Sequence, residues 1–280
     1  MSFLDHIENC NEYNIEKFVP LNISGQRVGW VKRILLPHFA VFPRFVTCSA
    51  SGVEINTALD TPLLLTEAMS QIGSALTESG YTGPWCDERY AIGRRFGENL
   101  FELDRAVVPA FGARAYGLHL TGYVRDGNGL SIWVPRRTSD RLTYPRKLDN
   151  TVAGGQPAQL SLYENLEKEC AEEANFPVTL TRKARPVGAI GYRLETEYGL
   201  RDDLLFSFDL ELPLDFKPTN CDGEVEDFEL WPADKVVSVV ESTDDFKFNC
   251  NLVLIDFFIR HGLISPSHPE YSRIYSALGK

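Results

Sequence analysis

The most regular hydrophobic pattern lies between residues 60 and 80. Leu64, Ala68, Ile72 and Leu76 recur every four positions, which places them on one stripe of an α-helix. Asp60-Thr61-Pro62 stands before the stripe and Gly80 after it, a start and a stop for that helix. A shorter helix is predicted over residues 105–110, with Asp104 as its cap. Residues 27–36 and 44–48 read as strands. After Phe111-Gly112 the period changes to two. Leu118, Leu120, Gly122 and Val124 alternate with more polar neighbours, Asp126-Gly127-Asn128-Gly129 supplies a hairpin turn, and residues 130–134 return. Further strands are predicted at 190–195, 203–210 and 227–231. A last helix is predicted over about 248–261, with Leu252, Ile255 and Ile259 on one face and Gly262 as its stop. The change of period divides the chain into an expected N-terminal α+β domain, residues 1–110, and a second domain, residues 111–280.

One helix has the wrong residues on its inner face. Ser161 followed by Glu164 is a capping box and fixes the start of a helix over 162–174. At about 100° per residue, Leu162 and Leu166 define the stripe that should be buried. Glu169 and Glu173 fall on that stripe, and Glu172 lies on its flank. Glu164 and Glu167 point the other way and suit a solvated face. Like charges at i,i+4 repel, and burying an unpaired carboxylate costs several kcal/mol. A divalent cation removes both difficulties, since clustered oxygens are what Mg²⁺ or Mn²⁺ selects. The spacing alone leaves a metal site and an ordinary acidic helix both open.

Composition narrows the field. The chain has 280 residues, 44% hydrophobic and 24% charged, which is ordinary globular material. Acidic residues outnumber basic ones by 39 to 28, a net charge of -11. Such a chain gains little from counterion release, so no nucleic-acid partner is expected. Six scattered cysteines without a C-x-x-C pair argue against structural zinc and against a disulfide scaffold. Residues 1–14 lack an apolar leader core, and the apolar run 252–259 is short and broken by Asp256, so no membrane partner is expected and a cytoplasmic protein is. Arg136, Arg137 and Arg141, with Lys147 beyond, form a basic run suited to phosphate oxygens or to a solvated loop. Trp133 could stack on a flat heterocycle or sit in the core. His119 reads as a structural histidine. There is no P-loop, G-x-G-x-x-G or G-x-S-x-G, so kinase, Rossmann and serine-hydrolase chemistry lack residues to stand on.

The segment from Gly154 resembles the Nudix box, G-x5-E-x7-R-E-U-x-E-E-x-G-U with U a bulky aliphatic residue. Lys168, Glu169, Cys170, Glu172, Glu173 and Phe176 fill the R, E, U, E, E and final U places. Leu160 stands where the first glutamate belongs, Lys168 replaces arginine and Asn175 replaces glycine. Tyr116-Gly117-Leu118-His119-Leu120-Thr121-Gly122-Tyr123, Leu148-Asp149-Asn150, Val152-Ala153-Gly154-Gly155 and Ile255-Asp256-Phe257-Phe258-Ile259-Arg260-His261-Gly262 further resemble the thiamine pyrophosphokinase-related branch of that family. The resemblance implies an α/β/α sandwich with a mixed sheet behind an N-terminal accessory domain. It implies Mg²⁺-dependent hydrolysis of a small diphosphate: thiamine diphosphate, or an oxidised or damaged analogue, cut to the monophosphate plus phosphate. By the same resemblance Glu169, Glu172 and Glu173 bind metal, with Glu169 or Glu173 also acting in catalysis, and a further acid comes from Glu224 or Glu226 on a later strand. A broad nucleoside-diphosphate hydrolase and an inactive binding module remain open, as does the choice between monomer and homodimer.

Overall fold

The computed structural model describes residues 1–279 apart from Asn128 and Leu142. One position of the predicted hairpin turn, Asn128, therefore lies outside the described residues. The chain begins with α1 (Phe3–Asn9), then β1 (Phe18–Ile23), β2 (Gln26–Lys32), α2 (Leu36–Ala40), β3 (Val46–Ser49), β4 (Gly52–Ile55) and α3 (Pro62–Glu78). The strands form a four-stranded sheet in the order β2-β1-β4-β3. Helix α3 is the one predicted from the four-residue stripe. Thr61 caps it, and Ala68, Ile72 and Leu76 are buried in one core with Leu21, Val53 and Ile55, although Leu64 faces solvent. A hairpin of β5 (Arg89–Ile92) and β6 (Phe101–Asp104) follows, and then α4 (Val108–Phe111). Helix α4 starts later than predicted. The Asp104 carboxylate accepts the Ala106 N–H at 2.9 Å in a turn, and helical geometry begins only at Val108.

The rest of the chain comprises β7 (Arg114–Asp126), β8 (Gly129–Arg137), β9 (Val152–Gly155), α5 (Leu162–Ala174), α6 (Val178–Thr181), β10 (Arg185–Thr196), β11 (Gly199–Glu211), β12 (Val225–Pro232), α7 (Ala233–Ser242), α8 (Cys250–Arg260) and α9 (Tyr271–Ala277). Its six strands form a mixed sheet in the order β10-β11-β7-β8-β12, with β9 also paired to β7. Strands β7 and β11 run parallel, and the other pairs are antiparallel. Alternation along β7 divides the two faces. Leu118, Leu120 and Val124 pack with Leu166, Cys170 and Ala174 of α5. Tyr123, with Ile132, Ile190 and Tyr192, packs with Val236 and Val240 of α7 and Phe257 of α8. The expected α/β/α sandwich is therefore present. Phe3, Leu4 and Ile7 of the first helix, with Cys10 at its end, lie in this second core, beside α8 and α9. No described helix is long and apolar enough to cross a membrane.

Candidate active site

Helix α5 forms over the predicted residues, and its ends explain why. The Glu164 N–H donates to Ser161 Oγ at 3.3 Å and the Ser161 N–H to Glu164 Oε2 at 2.8 Å. The helix stops at Asn175, which adopts a left-handed conformation with φ 55°. Asparagine tolerates that region better than other side chains with a Cβ, so it can stand where the box has glycine.

Glu169 is 9% exposed. Its carboxylate lies against the backbone of Gly154. A Cβ added there would come within 2.4 Å of Glu169 Cδ. Glu173 Oε2 accepts the Ala153 N–H at 2.9 Å. Helix α5 and strand β9 are thus joined through both glutamates. Burial, and then the charge of Glu169, push the Glu173 carboxyl well above the usual range, against the Ala153 hydrogen bond. Burial raises Glu169 also, opposed by Lys168. Lys168 Nζ lies 2.9 Å from Glu169 Oε1 and 2.8 Å from Glu172 Oε2, and Glu172 is exposed. Two acids therefore point inward, the third stays on the rim, and one ammonium answers the group.

Of the later acids, Glu224 contributes to the field on Glu173 and is ion-paired with Arg141. Glu226 is exposed at the bulge where the β12–β8 register shifts between Val225 and Asp227. That bulge breaks the alternation expected to put both acids on one side. Arg136 is half-buried and donates to the Arg146 carbonyl at 3.1 Å.

Two sequence expectations need correction. Trp133 offers no free ring for stacking. It is 7% exposed, inside the core with Val124, Leu166 and Phe228, and its Nε1 has no partner among the described residues. Arg137 is not a free phosphate fork. It is 7% exposed and donates to Asp149 Oδ2 at 2.8 Å and to the carbonyls of Thr143 and Tyr144 at 3.0 and 3.1 Å. The basic run alternates into the protein at this position, a matter of tertiary contacts that charge alone does not reveal.

Sequence reasoning also missed a buried polar cluster beneath the sheet. His119, Asp149 and Cys250 have potential ligand atoms within 4.8 Å of one another. Lys247 Nζ is 3.6 Å from Asp149 Oδ2, and the Cys250 thiol donates to Asp149 Oδ1 at 2.7 Å. Burial would raise Asp149, but Lys247 and Arg137 prevail and hold it at about 2. Burial and the Lys247 charge bring His119 down to about 4, while its Nδ1 lies 2.6 Å from Asn150 Oδ1. Two cations already answer the one carboxylate, so this cluster does not call for a metal. The α5 glutamates offer a different donor set: all oxygen, with more charge than Lys168 answers, and desolvation disfavours the ionised forms of Glu169 and Glu173. No local pattern marks Lys247 or Cys250; only folding joins residues 119, 149 and 250.

The profile of a domain of unknown function (DUF4743) matches residues 2–115. Nudix hydrolase 24, chloroplastic, of Arabidopsis thaliana is 40% identical over 99% of this chain and 77% of its own length. Nudix hydrolase 20, chloroplastic, of the same plant is 38% identical over the same shares. Among solved structures, the NUDIX domain of Shewanella oneidensis NrtR, complexed with ADP ribose, aligns at 13% identity and TM-score 0.42 over 54% of this chain and 91% of that one. The plant relatives correct the expectation of a cytoplasmic protein, since both are named as chloroplastic. That expectation rested on a missing apolar leader, and organellar transit peptides are amphipathic rather than apolar. With whole-chain relatives at this identity, the chain belongs to the Nudix hydrolase family.

Proposed function

We propose that this enzyme is a Mg²⁺-dependent (or Mn²⁺-dependent) pyrophosphohydrolase acting on thiamine diphosphate or a damaged analogue, releasing the monophosphate and phosphate. The observation that carries the metal-dependent reading is the pair of inward acids, Glu169 and Glu173, held against β9 by Gly154 and the Ala153 N–H. Glu169, Glu172 and Glu173 would hold the cation, with Glu224 as the further acid once it leaves Arg141. The cation, when bound, neutralises diphosphate oxygens and lowers the pKa of an attacking water. Glu169 or Glu173 would take that water's proton. Lys168 holds Glu169 and Glu172 in register. Arg141 and Arg136 remain the cations for substrate phosphate. Residues 1–110 act in this reading as an accessory domain.

The thiamine assignment rests on the resemblance of residues 116–123, 148–155 and 255–262 to one branch of the family. A metal-supplemented hydrolysis screen tests it, with thiamine diphosphate, its oxo form, ADP-ribose, NADH and coenzyme A as substrates. A coupled phosphatase reports on those that release no free phosphate. Preferred turnover of a thiamine diphosphate, lost in Glu173→Gln, supports the reading. Preference for a nucleotide substrate overturns the substrate, and no turnover of any diphosphate overturns the hydrolytic role.

A further inference from the structure

We propose that the β5–β6 hairpin of the N-terminal region is a structural part of the active site, with Tyr90 a positioning residue for the end of β9, Gly154 and Gly155, and the loop that follows it. The two glycines make room for different neighbours. A Cβ on Gly154 would meet the Glu169 carboxylate. A Cβ on Gly155 would lie 1.6 Å from Tyr90 Oη and 2.7 Å from its Cζ. Tyr90 is 7% exposed, so its ring has no solvent to swing into.

The contact continues along the loop. The Ala158 N–H donates to the Arg89 carbonyl at 2.8 Å, and Gln159 Nε2 to Glu102 Oε2 at 3.3 Å. From the other side, Asn165 Nδ2 donates to the Gly155 carbonyl at 2.7 Å and the Gln156 N–H to the Tyr116 carbonyl at 2.9 Å. Residues 155–159 are therefore held between the hairpin and their own sheet and helix. The hairpin is itself fixed, since Ile92, Phe101 and Leu103 are fully buried in the N-terminal core and Glu88 pairs with Arg105 at 2.7 Å. The segment gripped in this way is the one that leads from β9 into α5. A shift of the hairpin moves the backbone on which Glu169 rests, and with it the reacting geometry. The role assigned to residues 86–105 is thus to complete the site.

The inference rests on the hydrolase reading only for its kinetic arm. Gly155→Ala, Tyr90→Leu and the double variant are compared in phosphate release from the best diphosphate substrate. Gly155→Ala should lower kcat by roughly 10²-fold, as displacements of about 1 Å do. In the double variant the added methyl has no hydroxyl to strike, and kcat should return to that of Tyr90→Leu alone. Tyr90→Phe leaves Cζ in place and should give no rescue. Losses that multiply in the double variant overturn the proposal. Hydrogen exchange supplies the arm that needs no turnover. In Tyr90→Leu the amides of Gln156 and Ala158 should exchange at least ~10-fold faster while β10 and β11 keep their protection. Unchanged exchange at those amides also overturns it. Should Tyr90→Leu fail to fold, Tyr90→Met takes its place in both arms. An enzyme without diphosphate turnover would sink the hydrolase reading and leave the exchange result to decide the clamp.

Discussion

Glu173 Oε2 and the Ala153 N–H, 2.9 Å apart, form the bond that ties the acidic helix to the strand beneath it. Glutamine can keep that bond through its amide oxygen while losing the charge. Glu173→Gln should therefore fold with unchanged or higher Tm in chelator. Its turnover should fall by more than about 100-fold, beyond the usual cost of losing a residue that only orients a metal ligand. Circular dichroism melts and phosphate release check both halves. A variant that melts well below wild type shows that the charge is needed for folding.

Gly154→Ala should remove activity without unfolding the chain. The new methyl would sit 2.4 Å from Glu169 Cδ and 2.7 Å from Oε2, so the end of the side chain has to leave its place. A loss of roughly 10²-fold in kcat is expected from such a displacement. A titration following Mg²⁺ binding by calorimetry should show weaker affinity in parallel. Undiminished affinity would detach Glu169 from the metal.

His119 sets a pH dependence of stability. Burial lowers its pKa from 6.5 to about 4. Between those values the unfolded chain takes up a proton that the folded chain refuses. Stability is full above the unfolded value and is lost as pH falls from 6.5 towards 4. At about 1.4 kcal/mol per unit the histidine accounts for about 3 kcal/mol of that loss. Urea unfolding of wild type and His119→Gln at pH 7 and pH 4 measures it; the variant should show the smaller difference between the two pH values.

Arg141 and a cation compete for Glu224 if Glu224 is a metal ligand. Both side chains are about a third exposed, so their pairing contributes no more than about 1 kcal/mol. Arg141→Ala should then lower the Mg²⁺ concentration for half-maximal activity by up to about fivefold. It should also raise KM if the guanidinium holds substrate phosphate. A Mg²⁺ dependence that does not move removes Glu224 from the metal site.

Large parts of the fold were legible because their causes are local. The stripe through Ala68, Ile72 and Leu76, the capping box at Ser161 and Glu164, and the change of period after Gly112 act within a few residues. Glu169 and Glu173 could be picked out because an acid on an apolar stripe is a contradiction visible in one helix. The sequence left Trp133 open between core and stacking and did not foresee the burial of Arg137, because side-chain burial depends on what the chain later lays over a strand: α5 over Trp133, Asp149 beside Arg137. The choice between Glu224 and Glu226 could not be read from alternation, because a bulge shifts the register between Val225 and Asp227. Lys247 and Tyr90 gave no signal at all. Their surroundings come from segments about a hundred and about sixty-five residues away.

The first helix and the residue that caps it lend Phe3, Leu4, Ile7 and Cys10 to an interior otherwise made by residues between Tyr123 and Leu278. Anyone trimming the molecule at residue 110 would strip a wedge from under α8 and α9 and leave an oily scar. A fragment starting at 111 should be sticky and short-lived unless that leading peptide is returned to it. During synthesis, too, residues 3–10 must wait for α8 and α9 before they find shelter.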